Sequence, residues 1–412
     1  MGTTTGSVNG GRVLNSSLVA AAIAIVTAIS LVAWSPTALA QEDVVLCVGL
    51  VTAPATIVGT AGNNVIFGTE GDDVIHGLEG DDTIYGLGGN DLICGGRGDD
   101  IIYGGPGNDD IEGDSIIGTA ADDMIQGGND ILYGGPGEDD LDGDLLFGLG
   151  GNDELIGGDD LLDFGDDACT FCAPFGDAIF GGPGKDTIVG GNDVLIGSPG
   201  DDGAVGDGLF GDLGDDDITG GDDTIDVGLG NDFAAGDIIV GDRGNDILKA
   251  GSDRIFGNRG NDFLDGDGLF GGSGDDVLMG ASNTVDGGPG DDFVAGTGLF
   301  DFDGGDDVFT GGDDAVDGGP GDDVVFGDWI YGGPGADSAQ LGNDVLLGGR
   351  GNDQLIGDLG ENPDFGAFGL GAETITGGGD DSLDCGSGNA DSADGGPGID
   401  TATRCETTVN IP

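Results

Sequence analysis

The sequence predicts an all-β chain, a parallel β-roll or β-solenoid built from glycine- and aspartate-rich repeats. Three observations predict it. Glycine supplies 96 of the 412 residues, 80 acidic residues face only 9 Lys and Arg for a formal charge of -71, and apolar residues recur at a fixed interval. Only nine of the acids are Glu; the rest are Asp. Asp competes for backbone hydrogen bonds and belongs at caps and turns, and Gly disfavours helix, so a helical bundle is excluded. High charge with much glycine can also mean disorder, but 37% of the chain is hydrophobic and regularly placed. Nucleic acid and anionic membrane surfaces are excluded as partners, because holding phosphate needs Lys and Arg. The charge suits a cation.

Residues 1–40 read as a secretory signal peptide. Leu18 to Ala33 is an apolar run, preceded by a polar segment carrying Arg12 and followed by Ala38-Leu39-Ala40, a small-x-small cleavage site. The run is short for a bilayer span. A mature chain starting at Gln41 is expected, secreted to the extracellular space and either free or attached to a surface. Residues 41–58 form an N-terminal cap. The six cysteines suit an oxidising compartment. Of the fifteen possible connectivities, local pairing Cys47–Cys94, Cys169–Cys172 and Cys385–Cys405 is expected. A zinc site at Cys169-Thr170-Phe171-Cys172 would need a second ligand pair, and His76 is the only histidine.

From Gly59 to Glu112 the chain divides into six nine-residue units: GTAGNNVIF, GTEGDDVIH, GLEGDDTIY, GLGGNDLIC, GGRGDDIIY and GGPGNDDIE. Gly holds the fourth place, Asp the sixth (Asn64 in the first unit) and Ile the eighth. Six residues can turn sharply because Gly accepts positive φ. The last three alternate outward, inward, outward as a short strand. One such strand cannot bury its apolar side alone, so units must stack. If nine residues return the chain by half a turn, two units make one coil. The whole chain would then make about nineteen coils, on the order of 90 Å long.

Over residues 113–356 the period becomes a thirty-residue super-repeat of nine, seven, nine and five residues, opening at Gly181, Gly211, Gly241 and Gly271. Phe164–Phe175 replaces one nine with twelve residues that carry Cys169 and Cys172. Counting units alternately puts every full nine on one edge of the roll and every short unit on the other. Beyond 357 the regularity fails, and 357–412 reads as an irregular C-terminal cap.

These units resemble the RTX (haemolysin-type) calcium-binding nonapeptide repeat family, with its pattern G-G-x-G-x-D-x-U-x. The resemblance implies that the glycine-rich loops supply carbonyl oxygens, that the sixth-place Asp supplies carboxylate, and that multiple Ca²⁺ sit between loops of successive coils. The metal ligands so implied are Asp73, Asp82, Asp91, Asp100, Asp109, Asp123, Asp139, Asp153, Asp186, Asp202, Asp216, Asp232, Asp246, Asp262, Asp276, Asp292, Asp307, Asp323 and Asp353. Calcium takes six to eight oxygen ligands in tolerant geometry. Without it, aspartates stacked about 4.8 Å apart repel, so metal binding should carry much of the folding free energy. Two columns of ions are expected over 59–112 and one thereafter. The Asp of a shortened unit, such as Asp130, Asp144, Asp193 or Asp207, is expected to make an Asx-type turn on its own backbone.

Enzymatic activity is not expected. There is one histidine, no H-E-x-x-H and no G-x-S-x-G, and every Asp pair belongs to the repeat. His76 takes a ninth, outward place and reads as a surface residue. Two non-enzymatic readings remain. One is a secreted, calcium-folded rod whose main ligand is the metal. The other is an extracellular adhesion or interaction rod with a glycan or protein partner, using calcium only as a structural ligand. The second rests on a ladder of ninth-place residues: Phe67, Tyr85, Tyr103, Ile117, Tyr133, Phe147, Phe180, Phe210, Phe256, Phe270, Phe300 and Tyr331, interrupted by Asp163, Asp226, Asp286 and Asp317. Cross-strand stacking that stabilises the roll is the plainer role for these side chains.

Overall fold

The computed structural model describes residues 46–48, 52–165, 174–301, 305–331, 338–360, 374–377, 379–388, 390–396 and 398–411. The expected signal peptide and the Cys169–Cys172 pair lie outside them. Among the described residues every regular element is a strand. Apart from an antiparallel pair, Leu46–Val48 with Thr52–Pro54, they form three parallel sheets. Sheet I has fourteen strands, from Ile57–Val58 to Thr407–Val409. Sheet II has thirteen, from Val65–Phe67 to Thr401–Thr403. Sheet III has nine, from Met124–Gln126 to Thr374–Gly377.

The pairing register gives the length of a coil. In the first part Ile66 pairs with Ile84 and Ile75 with Ile93, so two nonapeptides make one coil, as their turns and strands predict. From Ile101 the step becomes thirty residues, as Ile101 pairs with Ile131, Asp110 with Asp140 and Met124 with Glu154. It lengthens only where residues are inserted, as from Leu161 to Val194, until the last coil. A super-repeat is therefore one three-sided coil and not two flat ones. The expected nineteen coils are corrected accordingly, since the longest sheet has fourteen strands and the three-sided part makes about eight turns.

The physical reason is visible in residues 211–240. The nine and the seven each end in a three-residue strand, Asp217–Thr219 in sheet III and Thr224–Asp226 in sheet II. The next nine and the five do not make two strands. They fuse into Phe233–Val240 of sheet I, because the two residues Gly236-Asp237 bend the strand without reversing it. A full nine thus reaches two different corners of the coil, so the expected single edge of full nines is also corrected. One corner, residues 211–216, joins sheet I to sheet III, and the other, 227–232, joins sheet II to sheet I. The four-residue turn 220–223 makes the third corner. Sheets I and II continue beyond residue 357 through Ser382–Asp384, Ser392–Asp394 and Thr401–Thr403.

The short strands of the three-sided coil, such as Asp217–Thr219 and Thr224–Asp226, bury their central residue and turn its neighbours outward, as alternation demands. Two apolar columns result. Ile225 and Ala234 belong to one, between sheets II and I, and Ile218 and Ile239 to the other, between sheets III and I. All four side chains are fully buried. Burying an Ile contributes about 1.5–3 kcal/mol, and stacking repeats the contribution from coil to coil. In several six-residue turns the second residue takes a left-handed conformation, with φ of 106° at Gly105 and 85° at Gly288. Leu78 and Leu87 hold that place at φ 89° and 82°, where a Cβ is strained. Of the expected disulfides, Cys47–Cys94 fastens the antiparallel pair to strand Leu92–Arg97, and Cys385–Cys405 closes the last coil.

Candidate metal centre

The turn 287–292, Gly-Gly-Pro-Gly-Asp-Asp, carries sheet II strand Thr284–Asp286 into sheet I strand Phe293–Phe300. Its last residue, Asp292, is buried. Asp292 Oδ1 accepts the backbone N–H of Asp262, one coil earlier, at 2.9 Å, and Asp262 Oδ1 accepts that of Asp232 at 2.8 Å. One oxygen of each carboxylate therefore orients the side chain and ties two coils together. The other, Asp292 Oδ2, is buried and receives no hydrogen bond. It folds back over the first glycine of its own turn. A Cβ at Gly287 would lie 2.9 Å from Asp292 Oδ2 and 2.9 Å from the carbonyl oxygen of Gly318 in the next coil. Only glycine leaves this space open. The space is walled by a charged oxygen and a carbonyl oxygen with no donor between them, which is a donor set for a hard cation.

The same pattern recurs. Asp82, Asp91, Asp100, Asp109, Asp153, Asp216, Asp232, Asp246, Asp262, Asp323 and Asp353 are buried, and each leaves Oδ2 without a hydrogen-bond donor. The RTX calcium-binding nonapeptide repeat matches residues 58–141, 174–204, 233–268, 270–325 and 338–362, more than half of the chain. The chain belongs to that family. No curated protein matches it.

The remaining RTX ligand positions differ in detail. Asp73 and Asp123, half-buried, accept at Oδ2 from the backbone and hydroxyl of Thr69 and Thr119. Asp202 does so from Ser198, and Asp186 and Asp276 accept the N–H of Gly182 and Gly272. At these five a hydrogen bond already reaches the oxygen that elsewhere has none. Asp139 and Asp307 are buried at the equivalent turn position. Over the three-sided part the full-length turns form two hydrogen-bonded columns, not one. Asp123, Asp153, Asp186, Asp216, Asp246, Asp276 and Asp307 follow one corner. Asp202, Asp232, Asp262, Asp292, Asp323 and Asp353 follow another.

Burial disfavours the charged carboxylates. Desolvation pushes Asp232, Asp246, Asp292 and Asp323 up to about 7 and Asp262 and Asp353 to about 6, against the opposing pull of the hydrogen bond at Oδ1. The chain's own cations do not relieve this. The ion pairs among the described residues, Lys249–Asp217 and Arg404–Asp384, involve outward-facing carboxylates at strand positions.

The aspartates of the short units are not Asx turns. Asp223 Oδ1 accepts the N–H of Asp193 in the preceding coil at 2.8 Å, and Asp207 Oδ2 accepts that of Gly221 at 2.6 Å. Turns of four residues and bends of two aim these side chains inward, out of reach of their own backbone. Asx-type bonds occur instead at strand ends, from Gly165 to Asp163 and from Gly319 to Asp317. His76 is half-buried rather than at the surface. Its Nδ1 accepts the N–H of Leu78, and burial lowers its pKa.

The aromatic ladder is two ladders. Phe67, Tyr85, Tyr103, Tyr133 and Phe256 lie in sheet II, while Phe147, Phe180, Phe210, Phe270, Phe300 and Tyr331 lie in sheet I. Phe67, Tyr85, Tyr103 and Tyr133 stack face to face with centroids 4.9–5.0 Å apart, the spacing of the coils.

Proposed function

We propose that this RTX protein is a secreted, non-enzymatic scaffold whose principal ligand is Ca²⁺ and whose repeats depend on that ion to fold. The observation that carries the reading is the buried Asp Oδ2 with no donor, facing a glycine carbonyl, at turn after turn. Asp232→Asn, Asp262→Asn and Asp292→Asn in one chain keep an acceptor for the interstrand N–H and remove only charge. Isothermal titration is expected to show fewer bound Ca²⁺ per chain and a higher calcium concentration for folding. Unchanged stoichiometry would exclude the turns as sites.

Secretion is supported by the N-terminal apolar run with its cleavage site and by two disulfides, which persist in oxidising compartments. Mass spectrometry of exported protein is expected to find Gln41, or its cyclised form, at the N-terminus; a chain still beginning at Met1 would overturn export by this route. The alternative, an adhesion rod with a glycan or protein partner, draws on the exposed rings of Phe67 and Tyr103. Their parallel stacking supports a structural role, since each ring face inside the ladder is already covered by its neighbour.

A further inference from the structure

We propose that the interior of the three-sided coil holds a second class of cation site, a column of buried carboxylate triads that each take one Ca²⁺. These sites are distinct from the turn sites. They are built from the four-residue turn and from the bend in the long strand, and they lie along the chain between residues of the two apolar columns. In one coil Asp223 falls between Ile218 and Ile225, and Asp237 between Ala234 and Ile239. Asp207, Asp223 and Asp237 bring one oxygen each within 4.8 Å of one another, and four neighbouring triads repeat the arrangement from Asp114 to Asp267.

Each carboxylate of the triad is fixed through one oxygen. Asp207 Oδ2 accepts from Gly221 N–H at 2.6 Å, Asp237 Oδ2 from Gly251 N–H at 2.6 Å, and Asp223 Oδ1 from Asp193 N–H. The second oxygens, Asp207 Oδ1, Asp223 Oδ2 and Asp237 Oδ1, are buried with no donor at all, in residues no more than 1% exposed. A charge buried without a partner is costly, and three converging ones more so. Glycine is required beside them. A Cβ at Gly206 would overlap Asp223 Oδ2 and crowd the Gly236 carbonyl, and one at Gly220 would overlap the Asp237 carboxylate. The charge count fits a divalent ion, because successive triads share one Asp. Each coil adds two carboxylates, and one Ca²⁺ per coil neutralises them.

The chain also contains its own exception. Asn283 and Thr297 occupy the places that Asp253 and Asp267 hold one coil earlier. There the side chains supply donors. Asn283 Nδ2 donates to the Gly296 carbonyl at 3.1 Å, and Thr297 Oγ1 donates to Asp314 Oδ2 at 3.1 Å. Where acids are replaced, neutral donors meet the neighbouring carboxylates, Thr297 Oγ1 also reaching Asp267 Oδ2; in the complete triad of Asp207, Asp223 and Asp237 no side-chain donor meets the second oxygens. The complete triads are the ones that need an ion.

Two variants of the full chain test this, with bound Ca²⁺ counted by elemental analysis after gel filtration at fixed free calcium and folding checked by circular dichroism. Asp223→Asn with Asp237→Thr moves the natural interruption two coils earlier and breaks two triads; a loss of two ions per chain is expected. Asn283→Asp with Thr297→Asp completes the column and should add two. Counts equal to the parent chain in both would overturn the proposal, as would a protonated-carboxyl infrared band that persists at saturating calcium. If the repaired chain does not fold, the first variant decides alone. A loss from the Asp232, Asp262 and Asp292 variant without loss here refutes the interior column and leaves the turn sites standing; the reverse refutes the turn sites alone.

Discussion

Chelation of calcium near neutral pH is expected to abolish most of the β-structure of this protein, and calcium added back should restore it. Carboxylates follow one another at the coil spacing along three corners. Two unit charges about 4.8 Å apart repel by roughly 3 kcal/mol at an effective dielectric of about 20, and each Asp inside a column has two such neighbours. Against this, the coil at 211–240 holds three Ile, one Val and one Ala in its two apolar columns, a small core for thirty ordered residues. In a solenoid a coil contacts only its neighbours, so loss of one coil exposes the next and unfolding spreads. Far-ultraviolet circular dichroism with and without chelator reads the outcome directly. Superimposable spectra would mean that the apolar columns suffice and that calcium is a passenger.

The strands were legible because the residue that fills the core, at the eighth place of each nine, is fixed by period-two alternation whatever the turn does. Two of the three disulfide pairs were legible from locality. Coil shape was not. Nine, seven, nine and five look like four turning units, and nothing local says that Gly236-Asp237 bends a strand while Gly220 to Asp223 reverses one. That distinction arises only when the third sheet pairs with itself, as Asp217 with Ile247, over a thirty-residue separation. The inward course of the short-unit aspartates did leave a signal. Alternation read back from buried Ile239 puts Asp237 on the same inward face. It could not show that Asp207, Asp223 and Asp237 meet, because their separation along the chain becomes closeness only in the three-sided coil. The ladder of aromatic residues failed as one surface for the same reason, since ninth places alternate between two sheets.

Acidification should rescue the calcium-free chain. Desolvation holds the turn carboxylates above the ordinary value of 3.8: Asp232, Asp246, Asp292 and Asp323 at about 7, Asp262 and Asp353 at about 6. A carboxyl whose pKa is raised by folding binds its proton more tightly folded than unfolded, so its ionisation opposes the fold. That opposition is absent below the unfolded pKa near 4, grows as pH rises, and is complete above about 7. In chelator, stability should therefore increase as pH falls from about 7.5 towards 4.5, with β-structure returning in the same window. Saturating calcium reverses the sign. The ion holds these groups in their charged form, so protons compete with it and stability falls as pH falls through the same range. Denaturation midpoints against pH, measured with chelator and with calcium, should thus converge on the acid side and separate towards neutrality. A calcium-free midpoint that instead decreases on acidification would mean that the turn carboxylates are already stabilised as anions by the protein itself, and the case for calcium as their partner would fail.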